Sequence, residues 1–157
     1  MHTIDEGEKM RFMNNVFFVI LLAVSSLWSD DIKLAEPHPT AEKPREVIMG
    51  IGRGDAESIR HLLESAGTIM NYYGPEKVRL RIVAYGEGIR LVNKNEKETA
   101  EKVRALMQEG VAFTACGETM DRRKMHDSLL IEEVEVVSVG IVDVIERIQG
   151  GSVYLQP

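Results

Sequence analysis

The stretch REVIMGIGRGDAESIRHLLESAGTIMNYYGPEKVRLRIVAY, residues 45–85, reads as one strand–helix–strand unit. Residues 45–51 are a short apolar run closed by Gly52 and Gly54, the pattern of a buried strand. Asp55 then offers a side-chain oxygen to the unpaired N–H groups of a helix start. Ile59, Leu62, Leu63, Ala66, Ile69, Met70 and Tyr73 recur at offsets of three and four, so they share one helical face. Gly74 and Pro75 end that helix, the glycine as a left-handed cap and the proline because it cannot continue the helix. Residues 78–85 alternate at first and then turn apolar, which predicts a second strand. A helix between two strands is the crossover that parallel neighbours need.

The pattern continues downstream. Asn95 and Glu98 stand like a capping box before a second helix, with Ala100, Val103, Leu106 and Met107 on its buried face and Gly110 at its close. A third strand over 111–115 delivers Cys116 at its C-terminal end, and a short helix is expected over 119–124. A fourth strand is expected over 134–139. Ile141, Ile145 and Ile148 mark a last helix ending at Gly150, and 153–155 form a final short strand. Strands alternating with helices predict a single α/β domain over 45–157, its sheet mainly parallel, with helices on both faces and right-handed crossovers.

The bulk numbers narrow the function classes. The chain has 157 residues, enough for one domain and a short additional segment. Hydrophobic residues at 44% and charged residues at 28% belong to a folded chain rather than a disordered one. A net charge of -6 argues against nucleic acid as a partner. The single cysteine rules out an intramolecular disulfide and a zinc site built mainly from thiolates. His2, His38, His61 and His126 show no metal-ligand spacing, so neither a metal nor another cofactor is expected. No Ser-His-Asp or paired-carboxylate pattern supports a hydrolase.

The N-terminal segment has a separate character. Residues 16–24, VFFVILLAV, are unbroken apolar and lead into Ser25, Ser26 and Ser29. That length suits the core of a signal peptide and falls short of the roughly 20 residues of a membrane span. Asp5, Glu6 and Glu8 offset Lys9 and Arg11, whereas a start at Met10 restores a positive leader. Residues 1–29 therefore read as a signal peptide with a start-site extension, cut after Ser26 or Ser29, and the protein as exported and periplasmic. The alternatives are an uncleaved membrane anchor and a buried apolar segment. Residues 30–44, with Pro37, Pro39 and Pro44, read as a linker.

Ligands of open α/β sheets sit beyond the carboxyl ends of the strands. Residues 50–55, 85–88 and 115–119 arrive at that edge, each with glycine. Cys116 is the sharpest candidate. A helix start beside it, or Arg122, Arg123 and Lys124 folding back toward it, would favour the thiolate. The alternative is a small buried hydrophobe. GIGRGD has Asp55 where a dinucleotide fingerprint has glycine, so it reads as a tight strand-to-helix turn. Glu87, between Gly86 and Gly88, either meets a ligand or stands solvated. His126 either serves Cys116 as a base or lies on the surface.

Residues 111–120, VAFTACGETM, resemble the strand-plus-cysteine motif of the DsrE/DsrF-like family, in its branch of intracellular sulfur oxidation proteins. RIVAYGEGI, 81–89, resembles that family's second strand and glycine turn, and 136–148 resembles its VVxxGVxxIxxxQ stretch, with Gln149 one place displaced. Tyr154 and Pro157 fit its Tyr-x-x-Pro ending. The resemblance covers nearly all of 45–157. It implies a flavodoxin-like sheet, a symmetric homo-oligomer (trimer or hexamer), and a cysteine that carries persulfide sulfur, a role open to Cys116 alone. Gly117 and Thr119 match the same loop and join Gly86 and Glu87 as candidate ligand-binding residues. The expected function is sulfur handling, with Cys116 passing sulfane sulfur to the thiol of a partner protein. The alternative is a non-catalytic cell-envelope module that binds a ligand or protein and keeps Cys116 as a structural residue. Two features depart from the family. The 122–130 loop is more basic and lacks a glycine, and export would separate this chain from the cytoplasmic partners of the relay members.

Overall fold

The computed structural model describes residues 32–157. The leader expected over 1–29 lies outside the described residues. Residues 32–38 carry no helix or strand, and the compact unit Pro39–Pro157 begins inside the segment read as a linker. Among the described residues no helix is long and apolar enough to cross a membrane.

The elements run β1 (Arg45–Ile51), α1 (Ala56–Tyr73), β2 (Val78–Ala84), a 3-10 helix (Gly86–Val92), α2 (Lys97–Gln108), β3 (Ala112–Cys116) and α3 (Gly117–Arg123). A 3-10 turn (Asp127–Leu129), β4 (Glu135–Val137), α4 (Gly140–Gln149) and β5 (Val153–Leu155) complete the chain. The sheet order is β4-β3-β2-β1-β5, and every neighbouring pair is parallel. The chain steps outward from β1 to β4 and then returns across the sheet to the far side of β1. With right-handed crossovers, that reversal puts α4 on the opposite face from α1 and α2.

Side-chain alternation agrees with this layout. Met49, Ile51, Leu80, Ile82, Ala84, Phe113 and Ala115 point into the main core, where Leu62, Ala66 and Met70 of α1 and Ala100 and Val103 of α2 cover them. Ile48 and Val83 point the other way and meet Val144 of α4. Helices thus cover both faces, as expected, but unequally.

Asp55 caps α1 as expected: its Oδ1 accepts the Ser58 N–H at 2.9 Å, and its Oδ2 accepts the Ser58 hydroxyl at 2.9 Å. Those bonds, joined by one from Arg53, hold its carboxyl down at about 2. A depressed folded-state value means a contribution present above the unfolded carboxylate range and lost as pH falls through about 2. An Asp55→Ala variant should therefore be less stable than wild type at neutral pH. The gap should close between about pH 4 and the acid limit in urea titrations.

Several boundaries differ from the sequence reading. Asn95 and Glu98 form no capping box. The helix begins at Lys97 after Glu96, Asn93 Oδ1 accepts the Asn95 N–H at 3.0 Å, and Glu98 pairs along the helix with Lys102. Gly74 has φ +79° but ψ 154°, so it caps α1 in a glycine-specific extended form, not a left-handed one. Tyr85 falls just outside β2, and β4 is shortened to Glu135–Val137. The Gly86–Val92 helix carried no sequence signal strong enough to be expected.

The last helix forms as expected, with Gly150 as its C-cap. Ile141, Ile145 and Ile148 face outward, and only Gly140 and Val144 are buried. The sheet beneath explains the inward face. Its amino-terminal half is polar there: Arg81 donates to Thr114 Oγ1 at 2.7 Å and pairs with Glu135. A cavity of about 330 Å³ on this side is lined by Glu46, Arg79, Arg81 and Arg147 among others. Only a narrow apolar strip remains for the helix to cover.

Candidate functional site

Cys116 is the last residue of β3, and its backbone is extended (φ -81°, ψ 112°) as α3 begins at Gly117. Alternation along the strand sends its side chain to the α4 side with Thr114, away from Phe113 and Ala115. There it meets the first turn of α4, whose Gly140 N–H donates to Sγ at 3.2 Å. A β-carbon on residue 140 would lie 2.9 Å from Cys116 Cβ and 3.1 Å from Val83 Cγ1, so glycine is what lets α4 start this close. Cys116 as a whole is 3% exposed.

Two effects compete at the thiol. Burial pushes it up. The Thr119 hydroxyl, the Gly140 N–H and the Thr119 N–H pull it down, Glu118 opposes them weakly, and the balance falls below the ordinary thiol value. The Thr119 N–H contributes without closing a full capping bond to Sγ. The expected cations play no part. Arg122 pairs with Glu118 at 2.9 Å, Arg123 pairs with Glu87, and Lys124 is exposed at a left-handed turn (φ 52°). His126 lies exposed on the following loop and forms no ring hydrogen bond or ion pair to Cys116 among the described residues.

The other candidates take specific places. Gly86 has φ +55° and donates its N–H to Thr119 Oγ1 at 3.1 Å. Glu87 ties the same loop to α3 through Arg123. Gly117 starts α3 beside the Val137 carbonyl, which a β-carbon would approach to 3.1 Å. Thr119 is buried and accepts the Gly86 N–H, and its hydroxyl is one of the groups that draw the Cys116 thiol down. The structure thus brings Cys116, Thr119 and Gly86 together, and places Glu87 one step outward in an ion pair. GIGRGD is a strand-to-helix turn packed against the second loop. The Gly52 carbonyl accepts the Gly88 N–H at 3.1 Å, and a β-carbon on Gly54 would meet the Glu87 carbonyl oxygen at 2.4 Å.

Gly140 is the residue that sequence reasoning passed over. Its signal was a glycine opening an otherwise apolar helix, where propensity gives no reason for it. Tyr154 was also underread. Burial and then Tyr85 hold its hydroxyl above the ordinary phenol value, and both rings lie within 3.3 Å of where a Gly50 β-carbon would stand.

A parallel five-stranded α/β sheet with a single thiol held at its carboxyl edge by a helix amide defines a narrow class of small proteins. The chain belongs to the DsrE/DsrF-like family, matching it over residues 49–157. The resemblance seen in the sequence is borne out. Among solved structures, a protein of unknown function from Methanobacterium thermoautotrophicum is 28% identical with a TM-score of 0.68, covering 72% of this chain and 99% of its own. A conserved protein of unknown function from Bacteroides thetaiotaomicron is 18% identical with a TM-score of 0.59, covering 71% and 93%. The ychN protein of E. coli is 15% identical with a TM-score of 0.59, covering 72% and 99%. The last two show the fold alone. Comparison with curated proteins finds no match.

Proposed function

We propose that this protein handles sulfur, with Cys116 carrying a sulfane sulfur as a persulfide for delivery to a partner thiol. The observation that carries this reading is the Gly140 N–H donated to Sγ, together with a thiol value drawn down despite burial. A cysteine packed only among aliphatic side chains would have its thiol value raised by burial with nothing to offset it. In the first step the Cys116 thiolate attacks the outer sulfur of a donor persulfide, the donor S–S bond breaks, and the donor leaves as a thiolate. In the second, an acceptor thiolate attacks the outer sulfur of the Cys116 persulfide, and Cys116 returns as thiolate. Each step exchanges one S–S bond for another, so no oxidant is consumed. The chain has no second cysteine, so the acceptor is another molecule.

Two further parts belong to the same proposal. The leader-like run at 16–24 supports export to the periplasm, where the acceptor would be an envelope protein. The outward apolar face of α4 and the open edge of β5 support a homo-oligomer, trimeric or hexameric.

The burial of the sulfur favours a second reading, a binding module of the cell envelope in which Cys116 is structural. Intact-mass measurement after incubation with a sulfane donor separates the two. Sulfur carriage predicts a gain of one sulfur, absent in Cys116→Ser and lost on adding an acceptor thiol. A wild-type chain that gains no sulfur, while its thiol reacts with a small alkylating agent, would exclude carriage.

A further inference from the structure

We infer that the arginine-lined cavity on the α4 side of the sheet binds a small anion carrying two or more carboxylate or phosphate groups. This goes beyond the sulfur-carrying reading of Cys116 and does not depend on it. Helix α4 is too short for the sheet it covers. Its 10 residues span about 15 Å, whereas the 7 residues of β1 or β2 run for about 23 Å. The helix begins over Cys116 at the carboxyl ends of the strands and packs on Ile48 and Val83. Alternation along β1 and β2 puts Glu46, Arg79 and Arg81 on that same face, nearer the amino ends. A cavity of about 330 Å³ remains there, lined by those three residues, by Arg147 of the last turn of α4 and by Ser152, among others. Small-molecule sites measure roughly 300–1,000 Å³, so the volume suits a ligand of a few polar groups.

The wall of this cavity is positive. Arg79, Arg81 and Arg147 stand against Glu46, the one carboxylate among its lining residues. Glu135, which pairs with Arg81, and Asp143, which pairs with Arg147 at 2.9 Å, do not line it. Bonds within the protein use little of each guanidinium. Arg79 donates through Nη1 to Glu46 at 3.1 Å, and Arg147 through Nε to Asp143 at 2.9 Å. Arg81 donates through Nη1 to Thr114 at 2.7 Å and to Glu135. A guanidinium has five N–H donors and no acceptor, so most of each fork is open to an acceptor that enters. The Arg81 side chain is 20% exposed and held at two points, so binding spends little on ordering it. Planar forks match carboxylate and phosphate oxygens in pairs, and three forks around one cavity call for more than one such group. The cavity lies toward the amino ends of the strands, so it is separate from the edge that holds Cys116.

Isothermal titration calorimetry of the full chain tests this, with citrate and pyrophosphate as probes and inorganic phosphate as the single-group control. At least one of the two probes should bind with a Kd below about 1 mM, more tightly than inorganic phosphate, and more weakly as salt is added. Binding of citrate alone assigns the site to carboxylates, and binding of pyrophosphate alone assigns it to phosphates. Arg81→Gln and Arg147→Gln should each weaken binding by about tenfold, the order of one hydrogen bond to a charged group. Arg79→Gln, at a side chain 68% exposed, should also weaken it and leaves the packing of the sheet untouched. Glu46→Gln should tighten it, because it removes the carboxylate of the wall and frees the Arg79 fork. Opposite signs from neighbouring residues are not what a merely structural cluster gives. Cys116→Ser should bind like wild type, so failure of sulfur loading leaves this result standing. Binding by neither probe would overturn the assignment. So would binding that both Arg79→Gln and Arg147→Gln leave unchanged, or that Glu46→Gln weakens.

Discussion

Alanine at position 88 lowers the stability of the domain by about 3 kcal/mol or more. A β-carbon there would lie 2.2 Å from the Ile51 carbonyl oxygen and 2.7 Å from its carbon. Both are main-chain atoms at the end of β1, so no rotamer change relieves the clash. The Ile51 carbonyl accepts the Tyr85 N–H at 3.0 Å, and the Gly52 carbonyl accepts the Gly88 N–H at 3.1 Å. Moving the second loop away would break these bonds and pull Gly86 off Thr119. Gly67 is the internal control. It sits in the interior of α1, and a β-carbon there meets nothing within 4 Å. Gly67→Ala should gain about 0.5–1 kcal/mol through helix propensity. Urea denaturation reads both: the midpoint falls sharply for Gly88→Ala and rises for Gly67→Ala, with the slope unchanged in each. A Gly88→Ala protein as stable as wild type would mean that the two loops do not cross as described.

That contrast also shows what the sequence could and could not say. Periodicity found β1, α1, β2 and the buried face of α2, because each buries a stripe at its own natural spacing. It placed Cys116 at a strand end for the same reason. The glycines of 50–54 and 86–88 signalled close approach, but not that the thing approached is the neighbouring loop, since a contact between Gly88 and Ile51 spans two elements. The thiol's environment was misread in the same way. Arg122 and Arg123 were the nearest cations in sequence, yet Glu118 one helical turn away and Glu87 across the loop take both. The donor that reaches Sγ belongs to Gly140, 24 residues on, brought there by the return of the chain across the sheet. Topology, not local pattern, built the site, and the motif resemblance supplied what spacing could not.

The double variant Ile141→Glu, Ile145→Glu separates the proposed assembly into single chains that remain folded. In the single chain Ile141 is 55% exposed, Ile145 49% and Val142 48%, so glutamate at 141 and 145 disturbs little of the core. At the sheet's edge β5 pairs only with β1 and presents Val153, Tyr154 and Leu155, each at least 37% exposed, with no further strand among the described residues. An apolar helix face and an open strand edge are each the kind of surface that a folded chain covers or blunts with charge. Here neither charge nor proline blunts β5. Covering it with a second copy would bury the exposed half of each aliphatic side chain, worth about 1 kcal/mol apiece. Two carboxylates per chain placed in that interface would each cost several kcal/mol, weakening association by about a thousandfold or more. Sedimentation velocity across a concentration series, with circular dichroism to confirm the fold, makes the measurement. A wild-type protein that sediments as a monomer at every concentration would remove the assembly. An oligomer that survives both glutamates would place its interface elsewhere, away from α4.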